Sequence, residues 1–285
     1  MFKKNKMQQT KKDSLVNNKF FISGCGRSGT TAMAKILNTA SNAEVFVEQE
    51  PKLCIESRDA YKGMLSDPTE TLRNLKEKHI DETINKGLIF GDKNQNYLPF
   101  IPYLEKLWKP KYIFMIRDGR DIIRSGIDNR KFMKRGGIFS MNEDDVNSTV
   151  TAKEDWWDYS RLRPNIGTEY HEVWQSMDIF EKYCWFWNEY NEVLLENLKK
   201  IESERYMLID ISSLTKEKCK EVFDFLGLEG FDPEKIENLI SSKVNSLEEK
   251  TGKEHVFPHW KDWSAEQNNI FNKHCGVMMK KLGYL

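Results

Sequence analysis

The feature that most restricts this chain is a glycine-rich turn near its start. A short apolar run, Lys19–Ser23 (KFFIS), ends in Gly24-Cys25-Gly26-Arg27-Ser28-Gly29-Thr30-Thr31, and the helix-forming stretch AMAKILNTA follows at once. A glycine turn from a strand into a helix N-terminus presents unpaired backbone N–H groups and the positive end of a helix dipole to an anion. Glycines also make plain strand-to-helix turns, but here Arg27 and hydroxyls crowd the same turn, which favours an anion site built from Gly26, Arg27, Ser28, Gly29, Thr30 and Thr31. The spacing is close to that of a nucleoside triphosphatase loop, yet Thr30 stands where such a loop carries its lysine. That lysine serves the β- and γ-phosphates, so its replacement points to a donor with one phosphate beside the group transferred.

The rest of the chain fits the kind of fold such a turn belongs to. Four more short runs read as strands: Ala43–Val47, Leu88–Gly91, Lys111–Ile116 and Arg205–Ile211. Helical stretches separate them, over Thr31–Thr39, Pro68–Lys86, Tyr97–Trp108, Arg120–Arg130, Asp178–Lys200, Leu214–Leu226 and Ala265–Leu282. Strands alternating with helices imply parallel pairing through right-handed crossovers, and ligands of such sheets bind beyond the carboxyl ends of the strands. The expectation is an α/β, three-layer α/β/α fold with a phosphate loop and a central, mainly parallel sheet. Residues 19–285 read as one domain, preceded by a flexible basic tail over 1–18.

Charge and cysteine content narrow the function classes. Lys plus Arg and Asp plus Glu both number 44. A chain so balanced offers no broad positive field for nucleic acid, so any anion site must be local. The longest apolar run is about five residues, too short to span a bilayer. The opening MFKKNKMQQTKKD lacks the apolar core of a secretory signal. Cys25, Cys54, Cys184, Cys219 and Cys275 are odd in number and widely spaced, which argues against a disulfide framework or zinc site and for a reducing cytoplasm.

Two motifs together carry a resemblance. GCGRSGTT after a first strand resembles the 5'-phosphosulfate loop of nucleotide-dependent sulfotransferases, and Arg117-Asp118-Gly119-Arg120-Asp121-Ile122-Ile123-Arg124-Ser125 after KYIFMI resembles the second motif of that family. RYMLIDISSL with VFDFLGL, and HWKDWS through KKLGYL, extend the likeness over roughly residues 19 to 285, with about 131–178 unmatched and expected to vary with the acceptor. The resemblance implies transfer of a sulfuryl group from 3'-phosphoadenosine 5'-phosphosulfate (PAPS) to a hydroxyl of a carbohydrate-like or small-molecule acceptor, releasing adenosine 3',5'-bisphosphate (PAP). It implies that Arg117 and Ser125 grip the 3'-phosphate. A base is implied soon after the second strand, where Glu48 and Glu50 both qualify. Glu48 stands at the spacing of tyrosylprotein-sulfotransferase-like members, and Glu50 precedes a proline as in some bacterial ones. Lys93, after the third strand, matches a lysine that contacts the transferring group. With Arg27 it would surround the bridging oxygen with positive charge, without a metal.

Other readings have less behind them. A phosphoryl-transferring kinase conflicts with Thr30, and a scaffold that kept the fold would bind PAP and transfer nothing. His79, His171, His255, His259 and His274 sit in polar or charged settings, although His259 and Trp260 fall where relatives bring a lid or a cofactor contact. Five of the eight tryptophans lie between Trp156 and Trp187. Phe180, Tyr183, Trp187, Tyr190, Leu194 and Leu198 follow helical spacing and read as a buried stripe. Trp185 shares a face with Glu189, Glu192 and Glu196 and reads as a contact to substrate or partner.

Overall fold

A computed structural model describes residues 18–132, 161–242, 252 and 254–285. The expected tail up to residue 17, and residues 133–160 with Trp156, Trp157 and Tyr159, lie outside the described residues.

In chain order the elements are β1 (Lys19–Gly24), α1 (Thr30–Leu37), β2 (Ala43–Val47), α2 (Cys54–Tyr61), α3 (Pro68–Asn85), β3 (Ile89–Lys93), α4 (Ile101–Leu107), β4 (Lys111–Ile116) and α5 (Gly119–Phe132). They continue with α6 (Glu169–Val173), α7 (Ile179–Leu198), β5 (Tyr206–Asp210), α8 (Lys216–Leu226), α9 (Pro233–Ser241) and α10 (Ala265–Lys281). The five strands form one parallel sheet in the order β2-β3-β1-β4-β5. β1 therefore lies between β3 and β4, and the chain reverses its direction of travel across the sheet at that point. This is where ligands of open parallel sheets bind.

Alternation along the central strands explains the layers. Tyr112, Phe114 and Ile116 of β4 join the core on one face, with Phe21 of β1, whereas Ile113 and Met115 join the core on the other with Phe20 and Ile22. Side chains of a strand point alternately to opposite faces, so a strand apolar at every position must be covered on both sides. Helices α1, α8 and α9 cover one face, and α4, α5, α7 and α10 the other. Burying each large side chain contributes roughly 1.5–3 kcal/mol.

Two boundaries differ from the sequence reading for local reasons. The stretch expected as one helix over 97–108 is a 3-10 turn over Gln95–Phe100 followed by α4, because Pro99 lies inside the turn and Pro102 at the start of the helix. The strand expected at Leu88–Gly91 runs on to Lys93, because Asp92 and Lys93 continue the ladder against Phe21 and Ile22. Lys93 is thus the last residue of β3 rather than a residue beyond its end.

Candidate functional site at the carboxyl ends of the strands

Gly24 ends β1 where no side chain fits: a Cβ there would stand 2.4 Å from the Met115 carbonyl oxygen and 2.6 Å from Ser28 Oγ. The loop then passes through two left-handed residues, Arg27 (φ 77) and Gly29 (φ 92), on either side of Ser28. Such a curl gathers successive N–H groups into a concavity that suits an anion. Helix α1 begins at Thr30 with no side chain capping it, so its first N–H groups stay available. Ser28 is fully buried and its hydroxyl lacks a hydrogen-bond partner. An orphaned buried hydroxyl in an N–H-lined loop fits an anionic group.

The second motif meets this loop directly. Arg27 Nε donates to Ser125 Oγ at 2.9 Å across 98 residues of sequence. Arg117 Nη1 donates to the Arg27 carbonyl at 3.2 Å, and Arg117 Nη2 meets Asp121 at 3.1 Å. A third guanidinium, Arg161, lies against the loop, because a Cβ on Gly26 would stand 2.6 Å from Arg161 Nη1. Burial, together with the charges of Arg117 and Arg161, pushes the Arg27 guanidinium down to about 10. Three cations at one loop repel one another, and an anion among them relieves that repulsion. Burial also pushes the Cys25 thiol up to about 12, which leaves it a core residue rather than a nucleophile.

Helix α7 supports the loop from behind with the stripe read from its spacing. Phe180, Tyr183, Trp187, Tyr190, Leu194 and Leu198 are all buried. The Tyr190 hydroxyl hydrogen-bonds with Ser23 Oγ at 2.9 Å and donates to the Gln95 carbonyl at 3.2 Å. Trp187 Nε1 donates to the Arg117 carbonyl at 3.3 Å. Gly119 and Gly126 let the Trp187 and Tyr183 rings approach α5 closely. From the far side, the Arg124 side chain donates to the Phe257 carbonyl, Asp128 holds His255 and the Phe257 N–H, and Arg120 lies 4.3 Å from the Trp260 ring centroid. The segment around His259 and Trp260 thus straps α5, the helix that carries Ser125. Trp185 corrects an expectation: it is 4% exposed and packs edge-on against Trp174 at 5.3 Å. Its neighbour Glu189 accepts from the Tyr61 hydroxyl at 2.6 Å. Helix α2 and the residues before α7 cover the Trp185 and Glu189 part of that face, while Glu192 and Glu196 stay exposed.

The two candidate bases are placed differently. Glu48 sits at φ 58, a left-handed conformation that breaks the extended run through 48–50. The alternation that would put both carboxylates on one side of an extended segment therefore does not hold. The Glu48 side chain is 11% exposed and paired with the Lys93 ammonium, whose side chain is 8% exposed. Glu50 is 61% exposed and pairs with Lys52 at 2.9 Å. Gln95 reaches the same region, with its Oε1 3.2 Å from a Cβ on Gly26. Arg161, Gln95 and Tyr190 are contributors that sequence reasoning missed. No group of three or more His, Cys, Asp or Glu among the described residues is arranged to hold a metal ion. No described helix is long and apolar enough to cross a membrane.

A family model described as "Sulfotransferase domain" matches residues 17–282. No curated protein matches the chain. Among solved structures, a sulfotransferase from Alicyclobacillus acidocaldarius is 14% identical with a TM-score of 0.44, over 82% of this chain and 96% of that one. Sulfotransferase STF9 from Mycobacterium avium is 11% identical with a TM-score of 0.49, over 92% and 77%. Mouse sulfotransferase SULT7A1 complexed with PAP is 13% identical with a TM-score of 0.45, over 93% and 85%.

Proposed function

The chain belongs to the sulfotransferase domain family, and from that premise we propose that it transfers a sulfuryl group from PAPS to a hydroxyl of a carbohydrate-like or small-molecule acceptor. The observation that carries the reading is the meeting of Arg27, Arg117 and Ser125 beside an uncapped helix N-terminus at the ends of β1 and β4. The loop N–H groups and Ser28 would hold the 5'-phosphosulfate. Arg117 and Ser125 would take the 3'-phosphate, with Arg27 between the two sites. Attack by the acceptor oxygen forms an O–S bond while the bridging S–O bond breaks and its electron pair leaves with PAP. Glu48 accepts the acceptor proton. Lys93 and Arg27 stabilise charge on the transferring group and the leaving oxygen. Residues 19–285 would act as one catalytic domain, and the five buried thiols suit a cytoplasmic setting.

The reading has a direct test in thermal unfolding. PAP at about 100 times its dissociation constant should add about 2.7 kcal/mol by linkage, a rise in Tm of roughly 5–10 °C for a domain of this size. ATP, without a 3'-phosphate, should give much less. Equal stabilisation by ATP would favour a kinase, and PAP binding without labelled sulfate transfer to any of a panel of glycans, phenols, lipids and tyrosyl peptides would favour a scaffold. Chelators should leave transfer unchanged.

A further inference from the structure

Gln49 stands between the two candidate carboxylates, and one buried cluster holds both its main-chain polar groups. Its N–H donates to Asp92 Oδ1 at 3.3 Å, and its carbonyl accepts from Lys76 Nζ at 2.6 Å. Lys76 of α3 and Asp92 of β3 are themselves 3.6 Å apart, with both side chains fully buried. The Tyr97 hydroxyl donates to Asp92 Oδ2 at 2.6 Å. One residue along, the Glu48 N–H donates to the Lys93 carbonyl at 2.8 Å while its carboxylate meets the Lys93 ammonium. Successive strand residues project to opposite faces. Asp92 thus anchors the loop backbone from one side of β3, and Lys93 receives the Glu48 carboxylate on the other.

Stability alone does not explain the cluster. Desolvation of two charges is costly, and apolar residues of similar volume are often as stable or more so. Burial pushes Asp92 up and Lys76 down, each opposed by the charge of the other. What the pair supplies, and apolar packing lacks, is two directed hydrogen bonds to the main chain of one residue, one on each of the peptides that flank its Cα. Those bonds sit next to Glu48, whose left-handed backbone needs an external hold to persist.

We propose that the buried Lys76–Asp92–Tyr97 cluster is a positioning device: by fixing the main chain on both sides of the Gln49 Cα it delivers the Glu48 carboxylate to Lys93 and turns Glu50 away from the reaction centre. The inference rests on the sulfotransferase reading with Glu48 as proton acceptor. Its test is to make Asp92→Asn and Tyr97→Phe in the wild-type chain and again in Glu48→Gln, then measure kcat, donor KM and PAP binding with labelled donor. In the wild-type background Asp92→Asn should lower kcat at least about 10-fold and Tyr97→Phe about 3-fold, with donor KM and PAP affinity nearly unchanged. In the Glu48→Gln background the same changes should alter kcat less than about 2-fold, because groups that act only through Glu48 then have nothing left to position. Should Asp92→Asn fail to fold, Tyr97→Phe keeps the ring, removes one hydrogen bond and supports the same comparison. Unchanged kcat in folded variants, or an equal loss in both backgrounds, overturns the device. If PAP binding and transfer are normal in the wild type, that result leaves the sulfotransferase reading standing. Absence of PAP binding and transfer in the wild type overturns both.

Discussion

Glu48→Gln is expected to lower turnover by about 100- to 10,000-fold, the usual range for loss of a general base, while PAP binding changes little. The substitution keeps shape and polarity and removes only proton acceptance. Glu50→Gln is expected to stay within about 3-fold of wild type, because an exposed carboxylate paired with Lys52 makes a small contribution. A carboxylate base loses activity as it is protonated, so the wild-type rate falls on the acid side of the pH profile. In Glu48→Gln that limb should disappear and the residual rate should be flat there. Near-wild-type turnover in a folded Glu48→Gln protein would refute the assignment. The search would then turn to His255, whose ring Asp128 holds at 2.7 Å, and to His259, whereas the buried His274 is held by Glu181 at 2.9 Å.

Much of the fold was legible because its signals are local. β1 through β5 stand out as apolar runs bounded by polar or glycine residues, and each lies within about two residues of where the pattern puts it. Helix α2 was not legible. It follows a left-handed Leu53 with no capping side chain, and CIESRDAY carries no apolar stripe. α9 was legible but not read: Asp232 caps it, Pro233 opens it, and Ile236, Leu239 and Ile240 recur at helical spacing. The phosphate loop and the second motif could be read because each is a contiguous string whose chemistry depends on its own spacing. Their meeting could not, since the Arg27–Ser125 bond spans 98 residues. The contribution of Arg161 was hidden for the same reason, as nothing in its immediate neighbourhood marks it as a phosphate-loop residue. The different placements of Glu48 and Glu50 were hidden because they depend on backbone conformation, with Glu48 at φ 58, and on contacts as remote as that of Lys76, 27 residues away, with the Gln49 carbonyl.

Lys93→Ala is expected to lower kcat by about 100- to 1000-fold, the usual cost of removing one preorganised group from developing charge. PAP affinity should change much less than kcat, because PAP lacks the sulfuryl group that Lys93 is proposed to contact and keeps only the leaving oxygen. Arg117→Ala should behave in the opposite way and weaken PAP by about 10- to 100-fold, as expected for loss of a hydrogen bond to a charged group. Lys93→Arg keeps the charge, but the site is 8% exposed and shaped around an ammonium, so recovery should be partial. Glu48 and Lys93 touch in the free protein, so their contributions should not multiply. Glu48→Gln combined with Lys93→Ala should cost little more than the worse single change. Losses that multiply would show two groups acting independently, and the Glu48–Lys93 contact would then be incidental to turnover.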